Sequence, residues 1–341
     1  MKRSWVLTIL LCLATASLRG QTVSRVGTTA APFLKIGVGA RALGMGEAYV
    51  TLAEDITAMY WNTAGLSRLQ RNQLILNHYE YFADMYFDYG GVAFVLPGFG
   101  SVGLAITYFG APDIERTTLD YQEGNGEMVS VGFYAASVSY ARELTDRFAV
   151  GFTGKIIREV LWHTQANGVA LDVGVIFNTQ FHNLKLAAAI SNFGTSMRLH
   201  GRDLLDQIDI DPRIEGNNEN INVYYATDSF PLPILFRVGT SIDLARDVLG
   251  ISGQSLTVAA NAVHPNDNRE YVNLGVEYRP HPLLALRAGY RQLFLQDREG
   301  GFTAGFGLSH DIGPFGFQLD YAALDYGRLD YVHKFSMILS F

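Results

Sequence analysis

The residues able to do chemistry in this chain are few and stand far apart. Its eight histidines are scattered over 341 residues, and no Ser/His/Asp or His/Asp set recurs at a spacing that would converge on one point. His78, His163 and His333 fall on or beside strand-like segments, where a structural or interfacial role is the plain reading. The densest carboxylates, Asp203, Asp206, Asp209, Asp211, Glu215 and Glu219, share one polar stretch. They lack the fixed spacing and glycine of a calcium loop, so a solvated acidic loop fits them better. No metal, cofactor or catalytic centre is expected, and the chain does not read as an enzyme. What remains is a set of isolated charges inside otherwise apolar segments: Asp172, Arg237, Asp243, Glu277, Arg287, Arg291 and Asp320. Charges so placed must be paired or wet. Their role depends on the elements that carry them.

Those elements are strands. Leu284, Leu286, Ala288 and Tyr290 alternate with Ala285, Arg287, Gly289 and Arg291, and Phe315, Phe317, Leu319 and Tyr321 alternate with Gly316, Gln318, Asp320 and Ala322. Alternation of this kind gives each strand one apolar face and one polar or small face. A soluble sandwich shows it too, so three further features decide. The first is the number of segments between residue 73 and the end, roughly fourteen, each about as long as a tilted strand crossing a bilayer. The second is that short turns (97–100, 143–147, 179–183, 280–282, 311–313) alternate with longer connections (110–128, 159–166, 194–231, 292–300), although 244–253 is longer and 83–85 shorter than this pattern expects. The third is the last segment, where Tyr331, His333, Phe335, Met337, Leu339 and the terminal Phe341 share a face. A final strand ending in Phe341 is similar to the signal by which the barrel assembly machinery takes up bacterial outer-membrane barrels. The expected fold is all-β, a transmembrane antiparallel barrel of about 14 strands. The aromatics Tyr79, Tyr81, Phe82, Tyr86, Phe87 and Tyr89 are expected in an interfacial girdle. A change of phase between Phe133 and Tyr134 predicts a β-bulge in the wall.

Composition agrees. Twenty-six Lys and Arg against 33 Asp and Glu give a net charge of −7 without a basic cluster, which argues against nucleic acid. No run of eighteen apolar residues follows the N-terminal segment, so helical spans are not expected. Residues 1–20 read as a signal peptide: Lys2 and Arg3, then apolar Trp5–Leu13, then Ala14-Thr-Ala16, with cleavage at about 16–20. Cys12, the one cysteine, follows Leu10 and Leu11, where a lipoprotein signal would carry small residues.

Residues 21–70 break the pattern before the barrel of 71–341 begins. Gly37, Gly39, Gly44 and Gly46 lie among small and apolar residues, Asp55 can cap a helix over 56–60, and Asn62 with Gly65 supplies a turn. The stretch reads as a plug packed inside the barrel, fixed by Asp55, Trp61 and Asn62, with Arg41 and Glu47 reaching wall charges. Asp172, Arg237, Glu277, Arg287, Arg291 and Asp320 phase onto the lumen face, and recurrent wall glycines leave room for the plug.

The run Phe33-Leu-Lys-Ile-Gly-Val-Gly-Ala-Arg-Ala-Leu-Gly-Met-Gly46 and the later Tyr60-Trp-Asn-Thr-Ala-Gly-Leu66 resemble the N-terminal signature of the PorV/PorQ family. That family is similar in turn to the FadL-type fatty-acid transporters, fourteen-stranded barrels with an N-terminal hatch. Glu47 stands where the family often has glycine, and Thr63 where it has proline. The resemblance implies an accessory of type IX protein secretion that binds a translocon or a secreted cargo domain. The alternative it implies is a FadL-like passive channel for hydrophobic small molecules, and a purely structural outer-membrane protein stands beside both. Each reading places the chain in the outer membrane of a Gram-negative bacterium, in contact with its lipid, with the C-terminus periplasmic.

Overall fold

The computed structural model describes residues 25–211, 213, 220–296 and 298–341. Residues 1–20, expected as a signal peptide, and Glu215 and Glu219 lie outside the described residues. Fourteen antiparallel strands close into one barrel. They are β1 (Gln73–Glu80), β2 (Tyr86–Leu96), β3 (Gly100–Glu115), β4 (Met128–Thr145), β5 (Phe148–Leu161), β6 (Thr164–Asn178) and β7 (Lys185–Gly194). After a long excursion come β8 (Leu235–Asp243), β9 (Ser255–Pro265), β10 (Tyr271–His281), β11 (Leu284–Leu293), β12 (Phe302–Ile312), β13 (Phe315–Asp325) and β14 (Tyr331–Ser340). Each strand pairs with its neighbours in sequence, and β1 pairs with β14 from Gln73↔Ser340 to His78↔Phe335. Closure leaves no sheet edge along that length, which a backbone surrounded by lipid requires.

The faces are inverted relative to a water-soluble core. Outward residues such as Leu104, Ile106, Val138, Ile156, Leu286 and Phe335 are exposed. Inward ones such as Ala105, Ser139, Arg287 and Asp320 are buried, because the lumen is filled. The filling is residues 25–69, folded as short helical turns: Pro32–Lys35, α1 (Ala40–Gly44), α2 (Ala58–Trp61) and Thr63–Arg68. Trp61, Tyr49, Leu43, Met45, Ile56 and Leu66 are fully buried at the centre.

Three expectations need correction. The wall is regular at Phe133–Tyr134, which pair in register with Phe109 and Tyr108 on β3 and with Glu159 and Arg158 on β5. The apparent change of phase is an aromatic on each face. Phe133 points inward and stacks on Phe33 of the plug at 5.9 Å, while Tyr134 points outward against Tyr108 at 4.9 Å. Register shifts lie instead at Ala111/Ile114 and Glu143/Thr145, towards the two ends of β4, at Val272/Leu274 and Tyr278/His281 between β10 and β11, and where β6 meets β7, at Leu171/Val173. Second, Tyr79, Phe87 and Tyr89 are not girdle residues: they are buried against the plug, because alternation alongside outward His78, Tyr86 and Asp88 forces them inside. The girdle here is Tyr86, Tyr108 and Tyr134, ring on ring across three strands. Third, the 159–166 connection is a two-residue turn at Trp162-His163, and the 110–128 loop is shortened by continued pairing of β3 with β4 to Glu115↔Met128. Beyond the girdle a hairpin faces water on both sides, so its alternation fades while its backbone ladder persists.

The plug and its grip on the wall

The plug holds its own shape first. Trp61 Nε1 donates to the Val38 carbonyl at 2.7 Å, and its ring meets Tyr49 and Tyr60 edge-on. Asp55 lies just ahead of α2, where it accepts from the Thr57 backbone N–H at 2.9 Å, from the Thr57 hydroxyl, and from Tyr49 Oη at 2.8 Å. The helix it precedes runs over Ala58–Trp61, slightly later than its sequence indicates. Asn62 caps the following turn by accepting from Ala64 N at 3.2 Å. Its amide also donates to the Val50 carbonyl at 3.0 Å and to Val175 in β6 at 3.1 Å, so one side chain joins two parts of the plug to the wall. Thr63 and Thr153 of β5 add a second tie, hydroxyl to hydroxyl at 2.6 Å.

The glycines mark close approach. A Cβ on Gly65 would lie 1.5 Å from the Ala53 carbonyl oxygen, so no side chain fits there. One on Gly37 would strike Leu43 and Trp61, and Gly44 lies against Gly305 of β12. Gly39 and Gly46 take positive φ, 83° and 62°. The wall is cut away to match. Gly275 and Gly289 admit the backbone of Met45 and Gly46, and Gly151 and Gly174 admit Asn62 and Thr63.

Charge adds a further attachment. Glu277 of β10 accepts from Arg41 of the plug at 3.0 Å through two nitrogens, from Arg287 of β11 at 2.6 Å and from Arg279 at 2.9 Å. Arg287 continues to Asp320 of β13 at 2.7 Å, and Arg41 reaches back to Asp55 at 3.4 Å. These groups form one ladder from plug to wall, buried at its centre. Arg291 pairs with Glu47 at 3.0 Å. Asp172 pairs with Lys155 at 2.6 Å and accepts from the backbone of Asn192, which takes φ 62° in the β6–β7 bulge. Arg237 faces the rings of Tyr60 and Trp61, at 5.7 and 5.3 Å, and donates to Ser191. Asp243 is not part of the lumen set. It lies at the end of β8 and caps the turn Leu244–Val248 through Arg246 N at 3.1 Å.

Two further basic residues of the lumen follow the same alternation. Lys155 and Lys334 both stand on the face opposite the outward apolar residues of their strands. Phe341 is exposed at the end of the chain and ties back to Asn72 through its backbone N–H at 2.9 Å.

At the rim of the long connections, a two-stranded ribbon (Leu205–Ile208 with Ile221–Tyr224) stands above the wall. Arg116 beside Glu127 holds that carboxyl below its usual range, bracing the β3–β4 hairpin. Among the described residues no three His, Cys, Asp or Glu side chains come together as a metal site would need.

The family model for the type IX secretion system protein PorV matches residues 19–198, more than half of the chain and the whole of its plug. This chain belongs to the PorV family. No curated protein matches it closely enough to add a named relative. Among solved structures it is similar to the Ralstonia pickettii toluene transporter TbuX (12% identity, TM-score 0.54, covering 89% of this chain and 97% of that one). It is also similar to the CymD monoaromatic hydrocarbon channel (13% identity, TM-score 0.53, 89% and 98%) and to a Pseudomonas aeruginosa FadL homologue (11% identity, TM-score 0.51, 89% and 98%). At such identities the likeness shows a shared fold. The PorV-family chain is thus an outer-membrane β-barrel of a Gram-negative bacterium.

Proposed function

We propose that this barrel serves protein secretion as an accessory, engaging a translocon or a secreted cargo domain through its rim and loops while the plug stays in place. The observation that carries this reading is the plug. It is tied to the wall by Arg41–Glu277, Glu47–Arg291, Asn62–Val175 and Thr63–Thr153, which lie on different sides of the lumen. A lumen held shut on several sides favours action by the outer surface over conduction. The PorV family match supports the same reading. The loop crown suits partner binding, since Ile208, Ile210, Tyr224 and Tyr225 are exposed on or beside the ribbon. In this reading the short turns and the C-terminus face the periplasm, and the ribbon faces outward.

The test is affinity purification of the full chain from gently extracted outer membranes, with mass spectrometry of associated proteins and lipids. Stoichiometric recovery of a very large outer-membrane protein, or of secreted proteins sharing a C-terminal domain, is the expected result. Recovery of the barrel alone with a defined fatty or aromatic ligand would overturn it in favour of a passive channel for hydrophobic small molecules.

A further inference from the structure

The lipid-facing wall from β2 to β6 presents its side chains in rows, because these strands pair in continuous register through their middles. One row runs Asp88, Tyr108, Tyr134, Arg158 and Asn167, each opposite the next. The row below it, towards the short turns, runs Gly90, Ile106, Ala136, Ile156 and Val169, and the next Val92, Leu104, Val138, Gly154 and Leu171. The first row is polar or phenolic and the other two are apolar throughout, so the edge of the hydrocarbon lies between them. The apolar rows are hollowed. A depression of about 570 Å³ has Gly90, Ala136 and Gly154 at its floor and Leu76, Leu104 and Ile156 round it. A Cβ on Gly154 would meet nothing within 4 Å, and one on Gly90 only Leu76 Cδ2 at 3.9 Å. Neither glycine has a positive φ, and a glycine inside a strand weakens it. Packing and backbone geometry therefore require neither. Their effect on the surface is depth.

We propose that this face binds one molecule of lipid A, the phosphorylated glycolipid of the outer leaflet, with an acyl chain in the depression and a phosphate on Arg158. The orientation that puts the short turns in the periplasm puts these rows in the outer leaflet. Arg158 stands two residues beyond Ile156 on the outer face of β5 and is exposed. Its neighbours across and diagonally on β4 and β6 (Gly132, Tyr134, Ala136, Gln165, Asn167 and Val169) are all uncharged. Arg158 donates to the neutral Oε1 of Gln165, whose Nε2 in turn donates to His200 Nε2 at 3.3 Å. A guanidinium held in this way has donors free for two oxygens of a phosphate. Of the carboxylates on this rim, Asp88 is paired with His78, Glu127 with Arg116 and Asp203 with His163. The polar row also sets the breadth of the head. From Tyr108 to Asn167 it crosses three strand spacings, about 14 Å, with two phenols, the guanidinium and an amide in line. A disaccharide with polar groups along its length can bond to such a row, whereas a single phosphoglycerol reaches one or two of its members.

The test uses the barrel extracted from outer membranes and exchanged into detergent. It is titrated separately with bisphosphorylated lipid A, its dephosphorylated form and phosphatidylglycerol, and read by native mass spectrometry. No secreted partner enters the measurement, so its outcome is independent of the role in secretion. One lipid A should be retained at about tenfold lower concentration than either comparator. Arg158→Gln should erase the preference for the phosphorylated form. Gly154→Phe, which fills the depression on a face that already carries aromatics, should abolish retention. Val238→Phe, on the lipid-facing side of β8, should leave it unchanged, and heat-modifiable gel mobility checks that each variant is folded. Lipid A carrying a mid-chain diazirine should label peptides from β3, β4 and β5. Four results would each overturn the proposal: dephosphorylated lipid A or phosphatidylglycerol retained as tightly as lipid A, an unchanged preference in Arg158→Gln, retention by Gly154→Phe, or label spread evenly round the barrel.

Discussion

Glu277→Gln removes the charge on which three guanidinium groups converge. Arg41, Arg279 and Arg287 all donate to this carboxylate, at 2.6 to 3.0 Å, and its side chain is 3% exposed. Breaking a buried ion pair from one side costs about 3–5 kcal/mol, because the stranded charge remains. Here Arg41 keeps Asp55 and Arg287 keeps Asp320, while Arg279 is partly exposed. The cost should therefore fall at the low end, about 3 kcal/mol. The assay is urea unfolding of the barrel in lipid vesicles, followed in a Trp162→Phe background by the fluorescence of Trp61, which is buried at the centre of the plug. If the ladder fixes the plug to the wall, Arg41→Met and Glu277→Gln must also be coupled. Removing Arg41 from the Glu277→Gln background should cost about 1–2 kcal/mol less than removing it from the wild type. A loss below about 1 kcal/mol for Glu277→Gln, or additive behaviour of the pair, would refute the claim that this network holds the plug.

Further substitutions test other points of attachment. Asn62→Ala loses a cap and two carbonyl contacts, one of them to β6, and should cost about 2 kcal/mol in the same assay. Gly289→Ala would put a Cβ 2.1 Å from the Gly46 nitrogen, so hydrogen exchange should quicken across 38–66, whereas Gly313→Asn, at φ 61° with open space round it, should change nothing. Deleting Phe341 should lower the yield of heat-modifiable barrel in the outer membrane without changing the amount exported to the periplasm, which fractionation with immunoblotting would show.

The inward placement of Glu277, Arg287 and Asp320 was legible because their strands cross lipid, and lipid tolerates only apolar side chains on one face. The same rule applies to Lys334, whose neighbours His333 and Phe335 point outward and which the lumen set drawn from the sequence leaves out, because a lone lysine in a terminal strand carries no sign of the phenols that receive it. The rule failed where both faces are apolar for different reasons. Phe133 serves the plug and Tyr134 the bilayer, and in one dimension the pair looks like a slipped register. The wall partners of Arg41 and Glu47 are more than 230 residues away in sequence, so no local pattern names them; only closure of the barrel brings β10 and β11 over the plug. The early end of the β1–β14 ladder, at His78↔Phe335, was invisible for a related reason. It arises from two strands that each remain paired on their other side, which neither sequence alone can state.

The account depends on a plug that stays in place while the barrel works. Thr63 and Thr153 face each other at 2.6 Å between oxygens, so Thr63→Cys with Thr153→Cys, made in a Cys12→Ser background, should form a disulfide that locks plug to wall. Export of secreted cargo should then be measured in cells carrying the locked barrel, with and without reductant. The account predicts export at the wild-type level in both conditions. Loss of export in the locked barrel, recovered on reduction, would contradict it and show that the plug must move.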